Sequence, residues 1–127
     1  MGMYNSFDLF IIRNQFQLSQ DDWDVISEKY LLNDEMIRLF QNKLNWKKIA
    51  QYQELSEEMI KEYINYQLKD YIELICKYQV LSEEFIHDYR YILDWELILE
   101  HQKVSARFIV DHAVDIENSK IGSDEVD

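Results

Sequence analysis

The sequence predicts an all-α protein: short helical hairpins stacked as a small right-handed solenoid, with eight or nine helices in one domain. Three observations carry this. A motif recurs in register along the chain. Proline is absent and only two glycines occur in 127 residues, so tight β-turns lack the residues they lean on. Ser, Asn or Asp recurs just ahead of apolar residues at helical spacing, where its oxygen caps the orphan amides of a first turn.

The first element is the apolar stretch from Phe7 to Phe16, which reads as a capping helix within residues 1–18. Helix starts then follow at Ser6, Ser19, Asn33, Asn45, Ser56, Asp70, Ser82, Asp94 and Ser105. Ser19 and Asp22 have capping-box spacing, with Asp in place of Glu or Gln. Four copies of the motif lie near 22–44, 45–69, 70–93 and 94–116, opening on Trp23, Trp46, Ile72 and Trp95. Each copy predicts a short first helix, a Leu-Ser-type turn and a second helix. Leu18, Leu32, Leu55, Leu81 and Val104 precede the caps and are placed to staple onto the next helix. Helical spacing selects the repeat core: Trp23, Ile26, Trp46, Ile49, Leu55, Ile60, Ile75, Leu81, Phe85, Ile86, Trp95, Ile98, Phe108 and Ile109. Extra residues around Gln67 to Asp70 predict a longer helix or a change of curvature. After Ile116 the pattern stops, so 118–127 reads as a flexible acidic tail following a single domain over 1–117.

Composition excludes several functions. The formal net charge is −12, so direct binding to a nucleic-acid backbone is disfavoured. No apolar run is long enough to span a bilayer, and no signal peptide opens the chain, which points to the cytoplasm. The one cysteine, Cys76, takes the repeat position of Ala50 and reads as a small buried thiol. Ser56, Ser82 and Ser105 recur as caps, so catalysis is not needed to explain them. His101 takes the place of Tyr52 and Tyr78, and His112 that of Tyr63 and Tyr89, which assigns both to packing. No glycine-rich phosphate loop and no metal-ligand spacing is present. An enzyme is therefore not expected, nor a cofactor or metal.

The register Asn45-Trp46-x-x-Ile49-x-x-Tyr52-Gln53-x-Leu55-Ser56-Glu57-x-x-Ile60 resembles a repeat found in tandem in proteins of phages and large DNA viruses. The resemblance runs from about Trp23 to His112. The first copy departs from it, with Asn33 for Ser and no Gln, and the last carries Ala106-Arg107 where acids would stand. The resemblance implies an α-helical repeat and a viral or mobile-element origin. It implies no catalytic residues.

The remaining signal is acidic. Asp21, Asp22, Asp34, Glu35, Glu57, Glu58, Glu83 and Glu84 fall in first turns, where they complement the helix dipole. Stacked helices lie roughly 10 Å apart, which would align these acids along one edge. Spaced negative charge on a rigid scaffold imitates a phosphate backbone. The expected function is thus a phage- or virus-encoded inhibitor of a host nucleic-acid-handling protein, an anti-CRISPR or other DNA mimic, with those eight acids as its partner-binding surface. The rival reading is a scaffold module acting through hydrophobic contacts as a homodimer, with off-core tyrosines such as Tyr66 and Tyr91 in its interface. Plain solvation would also account for the charge. Lys43, Lys47 and Lys48 interrupt the acidic surface.

Overall fold

The computed structural model describes residues 4–124, with side chains described through residue 120. Ten α-helices and no strand occur among these residues. They are α1 (Ser6–Asn14), α2 (Gln20–Lys29), α3 (Asp34–Leu39), α4 (Trp46–Tyr52), α5 (Glu57–Tyr63), α6 (Ile72–Tyr78), α7 (Glu83–Asp88), α8 (Trp95–His101), α9 (Ala106–Asp111) and α10 (Ala113–Asp124). The helix beyond the expected eight or nine is α10. It occupies most of the stretch expected to be a tail; residues 125–127 lie outside those described. The backbone reason is visible at its start, where the Ile116 amide donates to the His112 carbonyl and carries the helical bonding past α9.

Side-chain oxygens open most helices. Ser19, Asn33, Asn45, Ser56, Ser82, Asp94 and Ser105 each accept from an amide of the following first turn. Two positions differ. The cap of α1 is Asn5 rather than Ser6, because Asn5 and Asp8 form a reciprocal capping box. Asp70 caps nothing. The inserted residues instead form a 3-10 turn, Lys69–Tyr71, and α6 starts without a side-chain cap. That insertion is fixed by Leu68, which is fully buried.

The first helices of successive copies pack in series: α2 on α4, α4 on α6, and α6 on α8. Side chains link some of the second helices, Arg38 of α3 to Glu62 of α5 and His87 of α7 to His112 after α9. The helices share one core, built from Trp23, Ile26, Trp46, Ile49, Leu55, Ile60, Ile75, Leu81, Phe85, Ile86, Trp95, Ile98 and Phe108 with their neighbours, all buried. Within a copy the leading Trp meets an aromatic from the end of the second helix. Trp23 lies on Phe40 at 5.0 Å, Trp46 on Tyr63 at 4.7 Å, and Trp95 on His112 at 5.7 Å between ring centroids. His112 thus stands in an aromatic column, stacked on Phe108 at 4.0 Å.

Ile109 does not belong to the core. It is 39% exposed, whereas its counterparts Ile37, Ile60 and Ile86 are sealed by the copy that follows. Among the described residues no copy stacks beyond α9, so the same residue type in the same register meets water.

Candidate functional site

Which acids are free to bind a partner depends on how the copies are joined. The helices do not end in the usual left-handed turn that glycine favours, for no residue described here has a positive φ. The chain instead leaves α2, α4, α6 and α8 in an extended conformation at Tyr30, Gln53, Gln79 and Gln102. This strands carbonyls at the helix C-terminus. A glutamine from the next copy satisfies them. Gln79 Nε2 donates to the Ala50 and Gln53 carbonyls, both at 2.7 Å, and its Oε1 accepts from the Leu55 amide at 2.9 Å. Gln53 makes the same three bonds to Ser27, Tyr30 and Leu32. Gln102 makes them to Cys76, Gln79 and Leu81.

A second link uses the acids. Glu57 Oε2 accepts from the Ser82 amide at 2.6 Å, and its Oε1 accepts from the Ser82 hydroxyl at 2.9 Å. Glu83 holds Ser105 in the same way, at 2.7 and 3.3 Å. Asp34, one methylene shorter, reaches only the Ser56 hydroxyl, at 3.5 Å. Each carboxylate therefore orients the cap serine of the following copy. That serine in turn caps α5, α7 or α9.

The eight candidate acids therefore divide. Asp34, Glu57 and Glu83 are half-buried links between copies. Asp22 is exposed, but its Oδ2 accepts from the Ser19 amide in a capping box. Asp21, Glu35, Glu58 and Glu84 are exposed, and none forms a hydrogen bond or ion pair among the described residues. Glu35, Glu58 and Glu84 occupy one register position in successive copies, on α3, α5 and α7; Arg107 takes that position on α9.

The basic cluster is partly neutralised. Lys48 pairs with Glu28 at 2.7 Å, and its hydrogen bond holds the Glu28 carboxyl below the usual range. Lys43 sits over the Phe16 ring. Arg38 on α3 bonds Glu62 on α5, which lowers the Glu62 carboxyl and ties the second helices together. Tyr66 and Tyr91 are exposed, with the Arg90 guanidinium over the Tyr91 ring.

No catalytic arrangement forms around the remaining candidates. Cys76 is fully buried in the seam, and burial pushes its thiol up to about 11. No group of three or more metal-ligating side chains converges among the described residues. No helix among them is long and apolar enough to cross a membrane. His87 Nδ1 and His112 Nε2 meet at 2.9 Å, and His112 Nδ1 lies 2.8 Å from the Phe108 carbonyl, which fixes that nitrogen as the donor.

The first and last copies depart from the pattern at the positions that join one copy to the next. Tyr30 takes the glutamine position in the first copy, and its ring packs on Phe7 of α1. Leu99 takes the position of the fully buried small residues Ser27, Ala50 and Cys76, and is 38% exposed. Ala106 takes the position of the linking carboxylate. The recurring glutamine and first acid were visible in the sequence motif. Their role was not, because it depends on backbone groups of a neighbouring copy. The absence of glutamine from the first copy was the available clue.

No protein-family model, curated protein or solved structure matches this chain.

Proposed function

We propose that the chain is a non-enzymatic interaction protein whose acidic edge occupies the basic groove of a nucleic-acid-handling protein. The copies wind as a right-handed solenoid that spaces the charges. The viral resemblance of the repeat makes a host protein the target, reached in the cytoplasm, and makes inhibition the outcome. The observation that carries the reading is the split among the acids. Glu57 and Glu83 are committed to holding the stack, while Glu35, Glu58 and Glu84 stand at equivalent exposed positions and form no ion pair among the described residues. Carboxylates fixed at a regular interval on a rigid scaffold present negative charge without the entropy loss of ordering it on binding.

The test is affinity capture from a bacterial lysate at low and high salt, using the wild type and the triple variant Glu35→Gln, Glu58→Gln, Glu84→Gln. The expected result is capture of DNA- or RNA-handling proteins that is lost both at high salt and in the variant. Capture that survives the triple substitution would overturn the reading. A second reading, a scaffold acting through apolar contacts, is favoured by the exposed phenylalanines of α1. It predicts salt-insensitive capture, or a mass that rises with concentration.

A further inference from the structure

A helix that caps the end of a stack shields the apolar face beneath it and turns a polar face to water. The α1 helix does only the first. Asp8 and Ile11 are buried beneath it, yet Phe7 and Phe10 on its flank are 60% and 59% exposed. Across from them on α2 stands Val25, 48% exposed, and the Tyr30 ring closes one end against Phe7 at 5.3 Å. Ile11 and Ile26 form the floor. Together these walls enclose an open groove of about 550 Å³ between α1 and α2. That volume is within the range of binding clefts, roughly 300–1,000 Å³.

Two arguments decide what the groove holds. The first is area. An aromatic side chain presents about 150–250 Å², so the exposed parts of Phe7, Phe10, Val25 and Tyr30 amount to roughly 300–400 Å². A stable dimer needs about 800 Å² on each partner. The groove is too small to seat a second copy by itself, but it matches one face of a single helix. The second argument is charge. Asp22 lines the groove and Asp21 adjoins it, both at the N-terminal end of α2, while Lys29 lies at the opposite end of that helix. Asp22 uses only Oδ2 in its capping box. Two copies meeting here would bring these acids together, on chains that each carry a formal charge of −12.

We propose that this groove receives an amphipathic helical segment of a partner protein, apolar on the face it inserts and bearing Lys or Arg beside Asp21 and Asp22. The proposal rests on the interaction reading above and adds to it an apolar anchor. Exposed charge sets the approach of the partner, and the buried anchor sets how long it stays. Recognition follows the helix-in-groove mode, with anchors at i and i+3 or i+4.

The probe is a labelled synthetic peptide of leucine and lysine, about 14 residues long, with its leucines on one helical face. The control is a scrambled peptide of the same composition and charge. Binding is read by fluorescence anisotropy at physiological ionic strength. Phe10→Ser and Val25→Trp, which strip and fill the groove, are each expected to weaken binding by about tenfold or more. Asp21→Asn, which spares the capping box, is expected to weaken it by about threefold. The triple variant at Glu35, Glu58 and Glu84, away from the groove, is expected to weaken peptide binding less than Asp21→Asn does.

Circular dichroism of Phe10→Ser and Val25→Trp reports whether each still folds, and Asp21→Asn keeps the test open if one does not. Equal binding of the amphipathic and scrambled peptides would overturn the proposal, as would binding indifferent to both groove variants. Sedimentation that showed a wild-type dimer dissolved by Phe10→Ser would also overturn it, in favour of a second copy. Loss of peptide binding only in the triple glutamate variant would sink the groove and leave the acidic-edge reading standing. Normal groove binding, with protein capture unaffected by the triple variant, would do the reverse.

Discussion

Removing the Gln79 side chain should be among the most damaging single changes this fold can suffer. Gln79 is 3% exposed and makes three hydrogen bonds, of 2.7, 2.7 and 2.9 Å, all to backbone groups of the preceding copy. Each bond contributes about 0.5–1.5 kcal/mol net, and a buried donor left without a partner costs about 1–3 kcal/mol more. In Gln79→Ala the Leu55 amide becomes such a donor, which puts the total at about 3–7 kcal/mol. Gln79→Leu should be no better, although it restores volume, because it seals the same groups from water. Gln102 makes the same bonds but is only half-buried. Water can replace part of what is lost there, so Gln102→Ala should cost about 1–2 kcal/mol. Urea unfolding followed by circular dichroism gives the totals. Hydrogen exchange gives the location: the Leu55 amide should lose protection in Gln79→Ala while the Leu32 amide, held by Gln53, keeps more of its own. If Gln79→Leu matched or exceeded wild-type stability, the glutamine would be only a space-filler and the reasoning would fail.

Three further outcomes follow from the same geometry. Glu57→Gln should destabilise by about 1 kcal/mol, the scale of a lost helix cap, because a neutral amide has one acceptor oxygen where the carboxylate uses two, one for the Ser82 amide and one for its hydroxyl; Glu58→Gln, next to it, should lower the urea midpoint less. Cys76 should resist thiol reagents at pH 8, because its thiol is pushed up to about 11 by burial and the thiolate is scarce; native labelling within about tenfold of a free peptide thiol would contradict this. Stability should fall on acidification below the carboxylate range. Glu62, lowered first by its Arg38 hydrogen bond, Glu28, by Lys48, and Asp24, by Gln20 and Asn45, contribute stability that is present above the unfolded value of about 4 and lost as pH drops through the folded one. Arg38 and Lys48 are raised, so their contribution persists across neutral pH and for Lys48 is lost only above about 10. Glu28→Gln with Glu62→Gln should flatten the acid limb of urea midpoint against pH, and an unchanged slope would show those pairs to be ornamental.

Helical class and most helix starts were legible because each rests on local chemistry. Ser56 or Ser82 caps whatever follows it, and Trp46 and Ile49 share a buried face whatever lies opposite, although Tyr52, at the same spacing, is half exposed. Three features were hidden because they depend on distant partners. Asp70 has the right residue type for a cap, but the buried anchor at Leu68 turns the chain into a 3-10 turn before it can serve as one. Ile109 reads like Ile86, yet among the described residues no further copy covers it and it is left exposed. Glu57 and Glu58 look interchangeable in sequence, yet one grips the next serine and the other faces water, a distinction made by where the neighbouring helix begins. The end of α10 was missed for a simpler reason: its residues carry little apolar periodicity, so a sequence pattern had nothing to register.

The glutamine contact has a consequence for how such a chain changes over time. It reads two carbonyls and one amide, groups every residue possesses, and it asks of the preceding copy only a small residue at the Ser27, Ala50 or Cys76 position. A joint of this kind is indifferent to the identity of what it joins. A whole copy gained or lost by unequal exchange of DNA arrives with its own connector, and no compensating substitution is required in its neighbour. Outward-facing positions are then released to vary on their own schedule, so one inherited joinery can carry many different faces.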